Sequence, residues 1–159
     1  MESRTKDFII RKAAKDEWEE AMAVAYRTFR KFEADEYTPE GVRNFVDFIS
    51  DNGLYKMFLI DEYLLWVAVA DEKIVGLISI RSKRHISLLF VDEKYHHRGI
   101  ATALMQEVIR TLTDKNEKEV TVNSSPYAVG FYHKMGFEDI GKEHMDSGMI
   151  ITPMRRRLK

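Results

Sequence analysis

The chain has 159 residues and a mass of 18.6 kDa, the size of one domain spanning 1–159. Its 25 Lys and Arg against 26 Asp and Glu give a net charge of −1, which excludes a sequence-blind nucleic-acid binder as the leading reading, and 45% hydrophobic with 32% charged residues exclude a disordered chain. The absence of cysteine excludes disulfides, thiolate zinc sites and a cysteine nucleophile together, and suits a cytoplasmic protein.

Residues 1–6 are polar and lead into Phe8-Ile9-Ile10, too short an apolar run for a signal peptide. Residues 64–70 form the longest apolar run, far below the roughly 20 residues a bilayer requires, so no membrane role is expected. Residues 8–11 read as a first strand. An amphipathic helix follows over about 16–32, with Trp18, Met22, Ala25, Phe29 and Phe32 on one face. Thr38-Pro39 predicts the start of a second helix, because threonine caps and proline suits the first helical position, where no amide donor is needed. Asn52-Gly53 is expected to end it.

Three strands are predicted next, over 64–70, 74–80 and 85–91, the first two joined by the turn Asp71-Glu72-Lys73. A long helix over about 99–115 carries Ile100, Leu104, Met105, Val108 and Leu112 at helical spacing. Residues 120–123 read as a strand, Ser125-Pro126 as the opening of another helix closed by Gly136, and 149–154 as a last strand. Arg155-Arg156-Arg157-Leu158-Lys159 is expected to be a solvated basic tail. The order gives an α+β fold, or α/β with a mixed sheet.

Two segments carry chemistry. In the first, the apolar strand Leu88-Leu89-Phe90-Val91 runs through a polar loop into His96-His97-Arg98-Gly99-Ile100-Ala101-Thr102 at a helix start. A helix N-terminus leaves about four amide donors unpaired and carries roughly half a positive charge, so it suits a phosphate or pyrophosphate. A strand-to-helix turn whose glycine only permits tight packing is equally consistent with this spacing. The pattern is neither a P-loop nor the three-glycine dinucleotide fingerprint. In the second, Asn123 precedes Phe131-Tyr132-His133-Lys134-Met135-Gly136-Phe137, which in isolation reads as core. His96-His97 lacks metal-ligand spacing, so no metal is expected.

Together the two segments resemble the acyl-CoA-binding core of the GNAT superfamily of N-acetyltransferases. That family's phosphate loop, Gln/Arg-x-x-Gly-x-Gly/Ala, corresponds to residues 96–101, with His96 a departure from the usual Gln or Arg. Its Asn and aromatic-Tyr-x-Lys-x-Gly-Phe signature corresponds to Asn123 and residues 131–137. The resemblance implies a mixed, mostly antiparallel central sheet of about six or seven strands flanked by about four helices. It implies direct transfer from acetyl-CoA to a primary amine of a small molecule or peptide, with no acyl-enzyme, and admits a homodimer.

By the same resemblance, two neighbouring parallel strands splay apart. The pantetheine lies along Leu89, Phe90 and Val91, and the loop from His96 and His97 through Arg98, Gly99, Ile100, Ala101 and Thr102 holds the pyrophosphate. Asn123, Phe131, Tyr132 and Lys134 complete the cofactor site. Tyr132 is the implied proton donor to the departing thiolate. Full transfer from a phenol to a thiolate is uphill by roughly 2 kcal/mol, so hydrogen-bond donation comes first. The acceptor must be neutral, and at pH 7 that costs a lysine-like amine about 4.6 kcal/mol but an α-amino group only about 1 kcal/mol.

Glu33, Asp35 and Glu36 fall where this family builds its acceptor pocket. A solvated loop is the ordinary reading, and Glu33 is the candidate base among them. His85 is a second candidate relay, and a surface histidine is as consistent. Two other classes remain open: an acyl-CoA-binding sensor without catalysis, and a nucleotide-binding protein using the same helix terminus.

Overall fold

The computed structural model describes residues 7–159; the polar start read from residues 1–6 lies outside the described residues. Strand β1 (Ile9–Lys12) leads through a 3-10 turn (Lys15–Glu17) into α1 (Trp18–Phe32). Glu17 stitches this entry, taking the Ala14 amide at 2.7 Å and the Arg11 guanidinium at 2.8 Å. Helix α2 (Pro39–Ile49) starts where the Thr38-Pro39 signal places it, with Thr38 Oγ1 accepting from the Gly41 amide at 3.1 Å.

Asn52-Gly53 does not terminate the helical region. It opens α3 (Asn52–Leu59), because the Asp51 carboxylate accepts from the Gly53 amide at 2.9 Å and so supplies a new N-cap. Strands β2 (Leu64–Ala70), β3 (Lys73–Arg81) and β4 (His85–Val91) form the expected antiparallel run. Helix α4 (Ile100–Asp114) and β5 (Glu119–Ser124) follow. Ser125-Pro126 forms a turn rather than a helix start, and α5 (Val129–Lys134) begins three residues later.

The last segment is richer than the sequence suggests. Two short strands, β6 (Glu138–Asp139) and β7 (His144–Asp146), pair with β8 (Met149–Arg157). The predicted basic tail is therefore strand. Arg155, Arg156 and Arg157 lie opposite Thr121, Val120 and Glu119 of β5, and Arg156 donates to the Met135 carbonyl at 2.6 Å. Among the described residues eight strands result, ordered β1-β2-β3-β4-β5-β8-β6 with β7 beside β8, and of their pairings only β4–β5 is parallel. The sequence pattern shows neither β6 nor β7, because strands of two and three residues are too short to show a period.

The sheet is covered on both faces. One core packs α4, through Leu104, Met105, Val108 and Leu112, against Ile78, Ile80, Val120 and Met154. The other packs α1–α3 against Leu65, Val67, Leu77, Leu88 and Phe90, with Phe29 stacked on Phe45 at 3.9 Å between centroids. Each such fully buried aromatic or aliphatic side chain contributes about 1.5–3 kcal/mol. Among the described residues no helix is long and apolar enough to cross a membrane.

Candidate acetyl-transfer site

Two irregularities in the sheet create the site. The first is a bulge at Ser87: Ile80 lies opposite Ile86, but Ser79 lies opposite Leu88. The extra residue reverses which side chains face which core. Ile86 enters the α4 core, whereas Leu88 and Phe90 enter the α1–α3 core. It also reverses the backbone. Beyond the bulge, even-numbered residues bond toward β3, as the Asp92 amide does to the Val75 carbonyl at 2.7 Å. The peptide groups of Leu89 and Val91 therefore face the opposite side.

The second irregularity is the expected splay. β4 and β5 are paired only at His85–Thr121 and Ile86–Val122. Past that point the strands part, and the edges of Leu89 and Val91 open onto a groove. The groove has a volume of about 490 Å³ and is lined by Leu89, Phe90, Val91, His96, His97, Gly99, Ile100, Ala101, Thr102 and Phe131, together with Phe32 and Tyr127. All of these save Phe32 and Tyr127 belong to the cofactor site expected from the resemblance; Phe32 belongs to the apolar face predicted for the first helix, where an aromatic stripe is ordinarily core.

At its far end the groove meets the N-terminus of α4. Gly99 is the N-cap in the left-handed region, φ 82°, and a Cβ there would meet nothing within 4 Å. Glycine is needed for the backbone conformation, and its missing side chain leaves the amides of the first turn open. His96 is held differently from the anticipated phosphate contact. Its Nε2 lies 2.7 Å from the Val91 carbonyl, and its ring packs 5.0 Å from that of Phe32. Arg98 pairs with Asp7 at 3.0 Å and sits 4.9 Å over the Tyr95 ring, outside the groove lining. Lys134 is exposed and lines a separate depression with Arg156 and Arg157.

A second cavity, about 280 Å³, is lined by residues of both parted strands. Its walls include Glu33, Tyr37, His85, Ser87, Asn123 and Tyr132. Glu33, Leu89, Phe90 and Ala128 line both cavities, so the two spaces meet at these residues.

Glu33 is not part of a solvated loop. It is 9% exposed, and its carboxyl is pushed up to about 7, first by burial and next by repulsion from Glu36. The nearby Ser125 hydroxyl opposes the shift, but it falls short of full hydrogen-bond geometry and its effect is the smallest. Asp35 is exposed, in keeping with the solvated-loop reading for that residue. Tyr132 is buried, and its phenol is raised by burial and then by the Glu33 charge. Asn123 lines the second cavity but is exposed. His85 Nδ1 lies 2.8 Å from Thr121 Oγ1, and burial, helped by Arg81, lowers the ring to about 4, so it is neutral at pH 7. Sequence reasoning missed Ser87 and Tyr37, because only the bulge and the α2 packing bring them to the cavity.

The profile of the acetyltransferase (GNAT) domain matches residues 33–158. The chain is 28% identical over 137 residues to the uncharacterized N-acetyltransferase YafP of Escherichia coli, covering 86% of this chain and 85% of YafP. It is 31% identical over 142 residues to the peptidyl-lysine N-acetyltransferase YjaB of E. coli, covering 86% of each. Its fold matches that of the PaiA N-acetyltransferase of Thermoplasma acidophilum, solved in complex with coenzyme A, with a TM-score of 0.75 at 21% identity, covering 96% of this chain and 99% of that one.

Proposed function

The chain belongs to the GNAT acetyltransferase family, and from that premise we propose that it moves the acetyl group of acetyl-CoA directly onto a primary amine of a small molecule or of a peptide lysine. The observation that carries this reading is the meeting of the two cavities at Glu33, Leu89, Phe90 and Ala128. One space is a long groove ending at a helix N-terminus, and the other is a compact chamber with a buried carboxyl and a buried phenol. The lysine acceptor class is supported by the YjaB relative, a peptidyl-lysine N-acetyltransferase.

In this mechanism the amides of Ile100, Ala101 and Thr102 hold the pyrophosphate, aided by the helix dipole. The pantetheine amides pair with the outward-facing backbone of Leu89 and with the Val91 amide, as an added strand would, the Val91 carbonyl being held by His96. A backbone amide at the opened edge polarises the thioester carbonyl. The amine enters from the second cavity and loses its proton to Glu33. A carboxylate whose pKa lies near 7 is partly ionised at neutral pH and is a stronger base than an ordinary glutamate.

The amine nitrogen then forms the C–N bond, the C–S bond breaks, the electron pair leaves with the sulfur, and the extra proton on the new amide nitrogen passes to the thiolate, giving the amide and free CoA thiol. Tyr132 donates a hydrogen bond to that sulfur. Its raised pKa keeps the proton on the phenol through the working pH range, so it stabilises charge as it develops before any proton is transferred.

The deciding experiment measures CoA release with a panel of primary amines, alongside calorimetric titration with acetyl-CoA. Turnover with at least one amine is the expected result. Binding of acetyl-CoA without turnover on any amine overturns catalysis in favour of a sensor.

A further inference from the structure

At the bulge, three hydroxyls form a closed triangle: Tyr63 OH lies 2.6 Å from Ser79 Oγ and 2.7 Å from Ser87 Oγ, and the two serines are 2.8 Å apart. Ser79 is fully buried, and the Tyr63 ring is fully buried between Trp18 and Phe48. Ser87 alone of the three lines the second cavity. Each hydroxyl owns one proton, and three contacts within 2.8 Å require three protons. In a dry setting the satisfied arrangement is a ring in which each oxygen donates once and accepts once. Tyr63, pushed up to about 12 by burial, keeps its proton available for this ring. Ser87 therefore has no proton to spare for the cavity. It keeps one free lone pair there.

We propose that Ser87 is a specificity-determining residue that receives an N–H of the incoming amine, and that Tyr63 and Ser79 make it so by engaging its proton in the hydroxyl ring. This rests on the acetyl-transfer reading, since the second cavity is then the acceptor chamber. A serine hydroxyl ordinarily donates and accepts, and so greets amines, alcohols and carboxylates alike. Locked into the ring, it favours donor-bearing groups and disfavours a substrate oxygen that needs a proton. Glu33 lines the same chamber, so the incoming amine meets both a carboxylate and a lone-pair oxygen there. Because Ser87 is the bulged residue, the feature that turns Leu89 and Val91 toward the groove also presents this oxygen to the chamber.

The test uses the amine with the highest kcat/KM in the CoA-release panel. Ser87→Ala is expected to raise the amine KM about five- to twenty-fold, with the acetyl-CoA dissociation constant within twofold of wild type. Ser87→Thr, which keeps the oxygen, restores the amine KM to within about threefold. Tyr63→Phe releases a serine proton and is expected to raise the amine KM while strengthening competitive inhibition by the alcohol analogue of that amine. An unchanged amine KM in Ser87→Ala, with wild-type acetyl-CoA binding, overturns the proposal and leaves the acetyl-transfer reading intact. Equal loss of acetyl-CoA binding in Ser87→Ala and Ser87→Thr overturns it in favour of a purely structural bulge. Absence of turnover by the wild-type protein on every amine removes the acetyl-transfer reading itself.

Discussion

Glu33 and Tyr132 are electrostatically coupled across the cavity they share: burial raises the Tyr132 phenol, and the Glu33 carboxylate raises it further. In the proposed mechanism the coupling has a direction in time. Protonation of Glu33 by the amine would remove its charge and with it its hold on the Tyr132 proton, making the phenol a better donor at the step where the thiolate forms. Tyr132→Phe is expected to lower kcat by about 10²–10³-fold, with the acetyl-CoA dissociation constant within twofold of wild type. Paired with Glu33→Gln, the losses should be non-additive by about 1 kcal/mol or more, as a double-mutant cycle on kcat would show.

The pH dependence of kcat/KM follows from Glu33. The wild-type rate is expected to climb as pH rises through about 7, where this carboxyl ionises. Glu33→Gln should lower the rate by about 10²-fold and abolish that limb, leaving only the slope set by the amine's own titration. A limb near pH 7 that survives in Glu33→Gln removes this residue as the base.

The same shift has a cost in stability. The folded pKa of about 7 exceeds the reference value of 4.5, so below the reference value both states are protonated and nothing is lost. As pH rises from there to about 7, the unfolded chain gives up its proton more readily, and stability falls by as much as about 3 kcal/mol. His85 runs the opposite way: with a folded value near 4, the unfolded state binds more protons between about 4 and 6.5, and stability rises with pH across that window. Denaturant melts of Glu33→Gln should show a gain over wild type at pH 8 that vanishes at pH 4.

Gly99 separates strain from ligand contact. Gly99→Ala places a side-chain residue at φ 82°, costing about 1–2 kcal/mol of stability, although its methyl meets no protein atom. If the groove holds acetyl-CoA, that methyl stands before the first-turn amides, and affinity should fall at least tenfold. Thermal melts and calorimetry read the two losses separately.

Gly41 is a different case. A Cβ there would lie 2.3 Å from the Gly148 carbonyl oxygen, where the β7–β8 turn docks on the start of α2. That turn is fastened by the Thr38 amide at 3.0 Å and by Asn44 Nδ2, which donates to the Ser147 carbonyl at 2.9 Å. Gly41→Ala must displace it, and with it Asp146 and Met149 of the cavity wall. The expected loss is about 2–3 kcal/mol with a raised amine KM, against about 1 kcal/mol for the cap variant Thr38→Ala.

The parts of the fold legible in the sequence were those with a long period or a local cap. Strands β2 and β4 have the bounds the apolar pattern gave, and α4 lies within one residue of its predicted ends. Asn52-Gly53 misled because the deciding atom belongs to the preceding residue, Asp51. Ser125-Pro126 misled because the capping pattern is also a turn pattern, and the run on to Val129 is too short for helix. Arg155–Arg157 looked like tail because charge is only a weak bar to a strand whose cations find Glu119 and Glu138 across the sheet. At the site, the groove residues were readable as a contiguous motif. The burial of Glu33 was not, since the walls that desolvate it come from residues about ninety positions away, around Ser125 and Tyr132.

The two-pair seam between β4 and β5 leaves the Leu89 edge of the sheet without a strand partner, while His96 holds the Val91 carbonyl. Bare margins of this kind invite extended chain of any origin, including segments of other protein molecules. If acetyl-CoA lies along this margin as proposed, it does more than deliver a reactant. It then shields a boundary through which copies of the protein could stick to one another, so starvation for the coenzyme should show first as precipitation and only afterwards as unfolding.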